Sequence, residues 1–290
     1  MRGGQRSLAT FPSSSQVGRV LGELRASLVK DFRIYLRYPS WIASEFVTLP
    51  AWFLLFAIGT ASWVRPGQVT ATLGSSTIFN FFYWGFIFLI VFSTAIWGIG
   101  QYIRTEQLQG TIEQLFIAPV SRVTIIFGRF GRTFFTDMAI IAYTAVLLGF
   151  LSRDRVTVEN PLGLALVFAL LELAVLGFGL FFAAVTFRVK SFNFLANIAQ
   201  FTVIGLCGVF FPLTILPYPV GLVSLAIPFT YYADLMRYTA AGAAAGTTIF
   251  DPTFEFLLAG VLSIIVFGLG LAYFKATEKS AQRRGSIGTH

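Results

Sequence analysis

Few side chains in this sequence are equipped for covalent or metal chemistry. It holds one cysteine, Cys207, inside an apolar run, and one histidine, His290, at its last position. An intrachain disulfide, a Cys-based metal centre and a hydrolytic triad are therefore all excluded as readings. No Gly-x-x-x-x-Gly-Lys-Ser/Thr run occurs, and no lysine follows a glycine, so the sequence has no phosphate-cradling loop. The remaining candidates are polar groups set in apolar surroundings. Glu172 lies near the middle of a long apolar run, where a carboxylate costs about 2.5–3.5 kcal/mol on insertion scales. It must face protein or a water-filled cavity rather than lipid. Glu45 and Asp137 lie nearer the ends of their runs and read as positional. Asn193, Asn197 and Gln200 fall at i, i+4 and i+7 and share one helix face. They either line the inner part of a substrate path or bond between helices, the latter worth about 0.6 kcal/mol apiece. Both roles remain open for the three amides and for Glu172.

One polar stretch interrupts the middle of the chain, residues 101–132 (QYIRTEQLQGTIEQLFIAPVSRVTIIFGRFGR). Thr111 and Gln114 match a capping box, in which hydroxyl and amide satisfy orphan donors at a helix start. Gly110 before them admits a sharp turn, and Pro119 ends the helix because its predecessor is pushed towards extended geometry. The spacing predicts a helix of about two turns, polar at its leading end and carrying Leu115 and Phe116 further on.

The elements around this stretch follow from hydropathy. Hydrophobic residues make up 56% of the chain and charged residues only 12%, against about 25% in soluble proteins. The mean hydropathy of +0.76 agrees, and the chain reads as an all-α integral membrane protein. Residues 1–16 read as a disordered N-terminus without the apolar core of a signal peptide. Over 17–38, Val17, Val20, Leu21, Leu24, Leu28, Phe32 and Tyr35 recur at helical spacing with basic residues on the other faces. That pattern predicts an amphipathic helix along the cytoplasmic interface, broken at Tyr38-Pro39. Six apolar stretches follow within 39–274, near 40–64, 78–100, 133–151, 161–187, 193–211 and 254–274, each long enough to cross about 30 Å of hydrocarbon.

Orientation comes from lysine and arginine. With the N-terminus inside, 17 of the 21 fall in cytoplasmic segments, the basic tail 275–290 among them. Both termini, and the polar stretch 101–132, are then cytoplasmic. The basic residues sit between apolar runs rather than on one polar face, which argues against nucleic acid as partner. Residues 212–245 are apolar yet broken by Pro212, Pro217, Pro219 and Pro228. Short helices dipping back into the outer leaflet, shielded by protein, fit this pattern better than a solvated loop. A seventh span is the alternative, and it would put the basic tail outside. Trp41, Trp63 and Trp97 read as interfacial anchors, while the many Phe and Trp of the first two spans surround their helices and face lipid or neighbouring helices. Gly179-x-x-x-Ala183 permits close helix packing.

Arg104-x-Glu106-x-x-x-Gly110-Thr111-x-Glu113-x-Leu115, then Pro119-x-Ser121-Arg122 and a Gly-Arg, resembles the cytoplasmic loop of type-2 ABC export permeases. Span order, loop lengths and the proline-rich segment before the last span carry the likeness over nearly the whole chain. The resemblance implies an elbow helix at 17–38, a coupling helix in the loop 101–132 and a re-entrant segment at 212–245. It implies a permease with no enzymatic activity of its own. Two copies of an ABC ATPase would bind the ATP and Mg, this chain binding no cofactor, and a homodimer or a closely related second permease would complete the membrane part. Arg104, Glu106, Gly110, Thr111, Glu113, Gln114, Leu115 and Phe116 would be the ATPase-coupling residues. The substrates of the family are amphiphiles, and the absence of a large outside domain favours drug or lipid export across a prokaryotic inner membrane. A polysaccharide or lipid-linked glycan exporter is the alternative. An ion-coupled secondary transporter would need broken midplane helices with ion ligands, and Glu172 alone is thin support. A membrane enzyme would need clustered catalytic groups.

Overall fold

The computed structural model describes residues 14–63, 78–111, 121–151, 158–189, 191–211, 213, 216–241 and 248–284. All regular structure among them is helical. In chain order the helices are α1 (Ser14–Leu36), α2 (Pro39–Trp63), α3 (Ile78–Ser93), a π-helical segment (Thr94–Gly100), α4 (Gln101–Leu108), α5 (Arg122–Leu151) and α6 (Pro161–Val185). α7 (Phe192–Leu206), α8 (Tyr218–Leu225), α9 (Phe229–Ala241) and α10 (Pro252–Arg284) complete them. Among the described residues, Phe81–Leu108, Pro161–Val185 and Pro252–Arg283 are long and apolar enough to cross a membrane. α2, with 25 residues, and α5, with 30, have the length. α7 is a shorter apolar helix of 15 residues.

Local sequence explains the helix limits. Asn160 caps α6 by accepting the Gly163 N–H at 2.9 Å, with Pro161 in the first helical position, where its missing N–H costs nothing. Asp251 does the same for α10, accepting from Thr253 and Phe254 at 3.0 and 3.3 Å ahead of Pro252. Only Arg37 and Tyr38 separate α1 from α2, which opens on Pro39. Pro217 and Pro219 delimit the start of α8, and Pro228 the break before α9. The proline-broken segment thus holds two short helices, as its sequence predicts.

Packing centres on α6, which touches the π segment, α9 and α10. α3 is hydrophobic all round, as expected of a buried helix. Nearly every described side chain from Phe81 to Phe92 is buried. The aromatic residues of this run therefore form the core more than a lipid-facing coat. Phe92, Phe178 and Phe229 meet there, with ring centroids 4.7 Å apart for Phe92–Phe229 and 5.2 Å for Phe178–Phe229. α6 and α10 cross backbone to backbone: a Cβ on Gly270 would stand 1.9 Å from the Gly177 carbonyl oxygen. At one end of α3, buried Arg237 of α9 donates to the Val209 carbonyl and lies 4.1 Å over the Phe81 ring. Asp234 on the same helix accepts the Ile249 N–H at 2.8 Å.

Three helices run past the limits set by hydropathy. α3 continues through the π segment and α4 to Leu108, α5 begins at Arg122, and α10 continues to Arg284. The polar stretch 101–132 is thus mostly helix at both ends. The reason is a second apolar cluster inside it: Tyr102, Ile103, Ile125 and Ile126 are buried with Ile99, Leu176, Leu180, Ala183, Ala184 and Phe274. Polar neighbours at helical spacing mask these residues in a windowed average, although each faces the core.

Candidate coupling site

The end of α4 is fixed by its own backbone. Gly110 has φ +68°, the left-handed region that a residue with a Cβ resists. The Gly110 N–H bonds the Gln107 carbonyl at 3.2 Å and the Thr111 N–H bonds the Glu106 carbonyl at 3.1 Å. These two bonds make a Schellman motif, which satisfies the last carbonyls of the helix. The Thr111 hydroxyl donates back to the Glu106 carboxylate, so it braces the helix behind it. Arg104 donates to the Gln107 side chain at 3.3 Å. Arg104 and Glu106 therefore stand on the last turns of a membrane-entering helix rather than in a loop. Glu113, Gln114, Leu115, Phe116 and Pro119, and with them the predicted two-turn helix and its capping box, lie outside the described residues.

On the far side of that segment the chain is held again. Arg122, at the start of α5, pairs with Glu278 of α10 at 3.5 Å. Burial raises the Glu278 pKa, while Arg122 and then Lys275 pull it down. The extension of α10 beyond the apolar stretch thus reaches back to the start of α5.

α1 lies against α5 through small residues. A Cβ on Gly128 would fall 2.3 Å from the Ser27 hydroxyl oxygen, and one on Gly131 2.7 Å from Leu28 Cδ1. Above this contact sits a polar joint. Arg132 lies 4.8 Å over the Tyr35 ring, and the Tyr35 hydroxyl donates to Glu45 at 2.6 Å. Arg129 lies 4.8 Å over the Tyr102 ring, and its Nε donates to the Gly98 carbonyl at 2.9 Å. Burial, then the charge of Arg132, pulls the Arg129 pKa below its ordinary value, while Asp31, Tyr102 and Glu106 oppose this. α1, α4 and α5 are thus linked through neighbouring contacts of Arg129 and Arg132. Nothing in the sequence marks Arg129 and Tyr102 for these roles, because neither spacing nor hydropathy indicates a partner on another helix.

The membrane-embedded candidates divide. Asn193 and Asn197 are exposed, and the Asn197 amide donates to the Asn193 carbonyl at 2.9 Å, within its own helix. Gln200 turns inward, accepting from Trp97 Nε1 at 2.6 Å and donating to Ser93 at 3.2 Å. Trp97 is accordingly tied between helices, which displaces its reading as an interfacial anchor. Glu172 is buried in α6 with one carboxylate oxygen that has no hydrogen-bond partner among the described residues, and Asp137 accepts from Thr94 at 2.6 Å. Among the described residues no group of three or more His, Cys, Asp or Glu could hold a metal ion.

This architecture is that of an all-helical membrane protein, and a family comparison makes the class specific. The family model for the ABC-2 type transporter matches residues 22–241, more than half of the chain, and the chain belongs to that family. It is a permease component of an ABC-2 transporter. A search of curated proteins finds no match.

Proposed function

We propose that this chain is the membrane half-unit of an ATP-driven exporter, with six spans, both termini in the cytoplasm and a separate ATPase docked on the segment between α4 and α5. Two such chains, or this one with a close relative, form the path, and the cargo is an amphiphile, a drug or a lipid. The observation that supports this best is the double anchoring of 111–121. Gly110 and Thr111 stop α4 rigidly on one side, and Arg122 is tied to Glu278 on the other. With Thr111 and Arg122 both fixed to helices of the core, a push arriving between them has a path into α4 on one side and α5 and α10 on the other. ATP binding closes the ATPase pair, the segment moves, and α4 and α5 carry the displacement into the core. Glu106 and Glu113 offer charges to basic residues of the ATPase, and Leu115 and Phe116 offer apolar surface to a groove.

The experiment is co-purification of the chain with a candidate ABC ATPase, comparing the native chain with Glu113→Arg. The expected result is at least a roughly tenfold loss of association, about 1.4 kcal/mol, with normal membrane insertion. Transport that proceeds in the absence of any nucleotide would overturn the proposal in favour of an ion-coupled carrier. Export of a lipid-linked glycan, assayed against a fluorescent phospholipid, separates the second cargo class from the first.

A further inference from the structure

The seven residues Thr94–Gly100 form a π helix in the middle of an otherwise continuous helix from Phe81 to Leu108. A π turn closes i→i+5 bonds, holds an extra residue relative to the α ladder, and is rare and frequently found at functional sites. Where the ladder changes back, carbonyls are left over and need other donors. Here neighbouring helices supply polar ties to the same segment. Arg129 of α5 donates to the Gly98 carbonyl at 2.9 Å. Asp137 of α5 accepts from Thr94 at 2.6 Å. Gln200 of α7 bonds Trp97 within the segment and Ser93 just before it. The swollen helix also has room made for it. On α6, a Cβ at Gly179 would come within 2.8 Å of Ile99 Cβ and 2.9 Å of the Ala95 carbonyl oxygen.

We infer that Thr94–Gly100 is a register joint in the helix leading to the coupling segment, and that Arg129 is the positioning residue that holds it in the π setting. The inference rests on the export reading above for the purpose of the motion, and on geometry alone for the joint. Relaxing a π turn to α geometry feeds one residue into the downstream helix, which then turns by about 100° and shifts by about 1.5 Å. That displacement would carry Arg104 and Glu106 around the helix axis. It would also take Gly98 and Tyr102 away from Arg129, because the guanidinium binds the Gly98 carbonyl and covers the Tyr102 ring at once. One side chain thus reads the register at two points about a turn apart.

Hydrogen–deuterium exchange on the full chain in phosphatidylcholine–phosphatidylglycerol nanodiscs tests the joint. Arg129→Met keeps the apolar stem and removes donor and charge. It should raise exchange of the 98–103 amides at least tenfold, with Pro161–Val185 unchanged. Arg129→Lys, which restores a cationic donor, should bring exchange back to within about threefold of the native chain. Native exchange at 98–103 in Arg129→Met, or an equal rise along α6, overturns the inference, since the residue would then be either idle or merely structural. A second measurement separates it from the export reading. In the complex with an ABC ATPase, ATP should change exchange over 94–108 in the native chain and not in Arg129→Met. If ATP changes nothing in any segment of the native chain, the export reading fails, while the nanodisc result still decides the role of Arg129. If ATP alters 94–108 equally in both, the role of Arg129 fails alone.

Discussion

Asp31 illustrates how a single side chain can oppose the contact it sits in. It lies on α1 beside Lys30, 3.9 Å away, and is largely covered by neighbouring structure. Burial raises its pKa above 3.8, although Lys30, Arg129 and Arg132 all pull the other way. A carboxylate whose folded pKa is raised stabilises the folded form below its unfolded value, and that contribution is lost as the pH rises through the folded value. At neutral pH Asp31 is therefore a net cost. Asp31→Asn should raise the thermal unfolding midpoint in detergent at pH 7, and the gain should shrink as the pH falls towards 4. A midpoint lowered at pH 7 would mean that the neighbouring arginines outweigh burial after all. The Glu45–Tyr35 bond and the Arg132 contact to the same ring tie α1 to α2 and α5 nearby, so the cost is borne by a joint with other supports.

At the scale of elements, α6 is fitted to the widened helix beside it. Gly179 leaves space for Ile99 and the Ala95 carbonyl, and Gly100 comes as close to α6, where its Cβ would meet Phe182 Cβ at 2.8 Å. Gly179→Leu must displace the π segment or move α6 away. Overpacking of this kind costs about 1–3 kcal/mol. The expected outcome is a lower unfolding midpoint, with faster exchange concentrated in 94–103. Destabilisation of α10 instead would shift the weight to the Gly177–Gly270 crossing on the other side of α6. The sequence motif Gly179-x-x-x-Ala183 indicated a close approach at this place, and Ala183 is indeed fully buried. It did not say which helix approaches.

For the whole molecule, the proposed orientation has a direct check. Gln109 is exposed beside Gly110, and the native Cys207 is buried. A membrane-impermeant maleimide should label Gln109→Cys in inside-out vesicles and not in right-side-out ones. Labelling from the outer face would place the end of α4 away from any ATPase and remove the basis of the export proposal. The same exposure pattern applies to α10, whose Leu257, Val261, Ile264, Ile265 and Leu269 are exposed along its apolar length. In a bilayer such a face meets lipid tails at no cost, so it carries no message about partners.

Much of this protein was set by local chemistry. Apolar runs long enough to cross a bilayer, prolines that break 212–245, Pro39 opening α2 and Gly110 at the stop of α4 all act within a few residues of themselves, and so can be read along the chain. The polar stretch 101–132 shows where such reading fails. Tyr102, Ile103, Ile125 and Ile126 find their apolar partners on α6 and α10, and the helices continue because of it. Asn193, Asn197 and Gln200 share a face by spacing, yet only packing beside Trp97 turned Gln200 inward and left the two asparagines exposed. The π segment and its hold by Arg129 belong wholly to the tertiary structure. Here the donor, the acceptor and the space around the extra residue come from α5 and α6, which lie far away in the sequence.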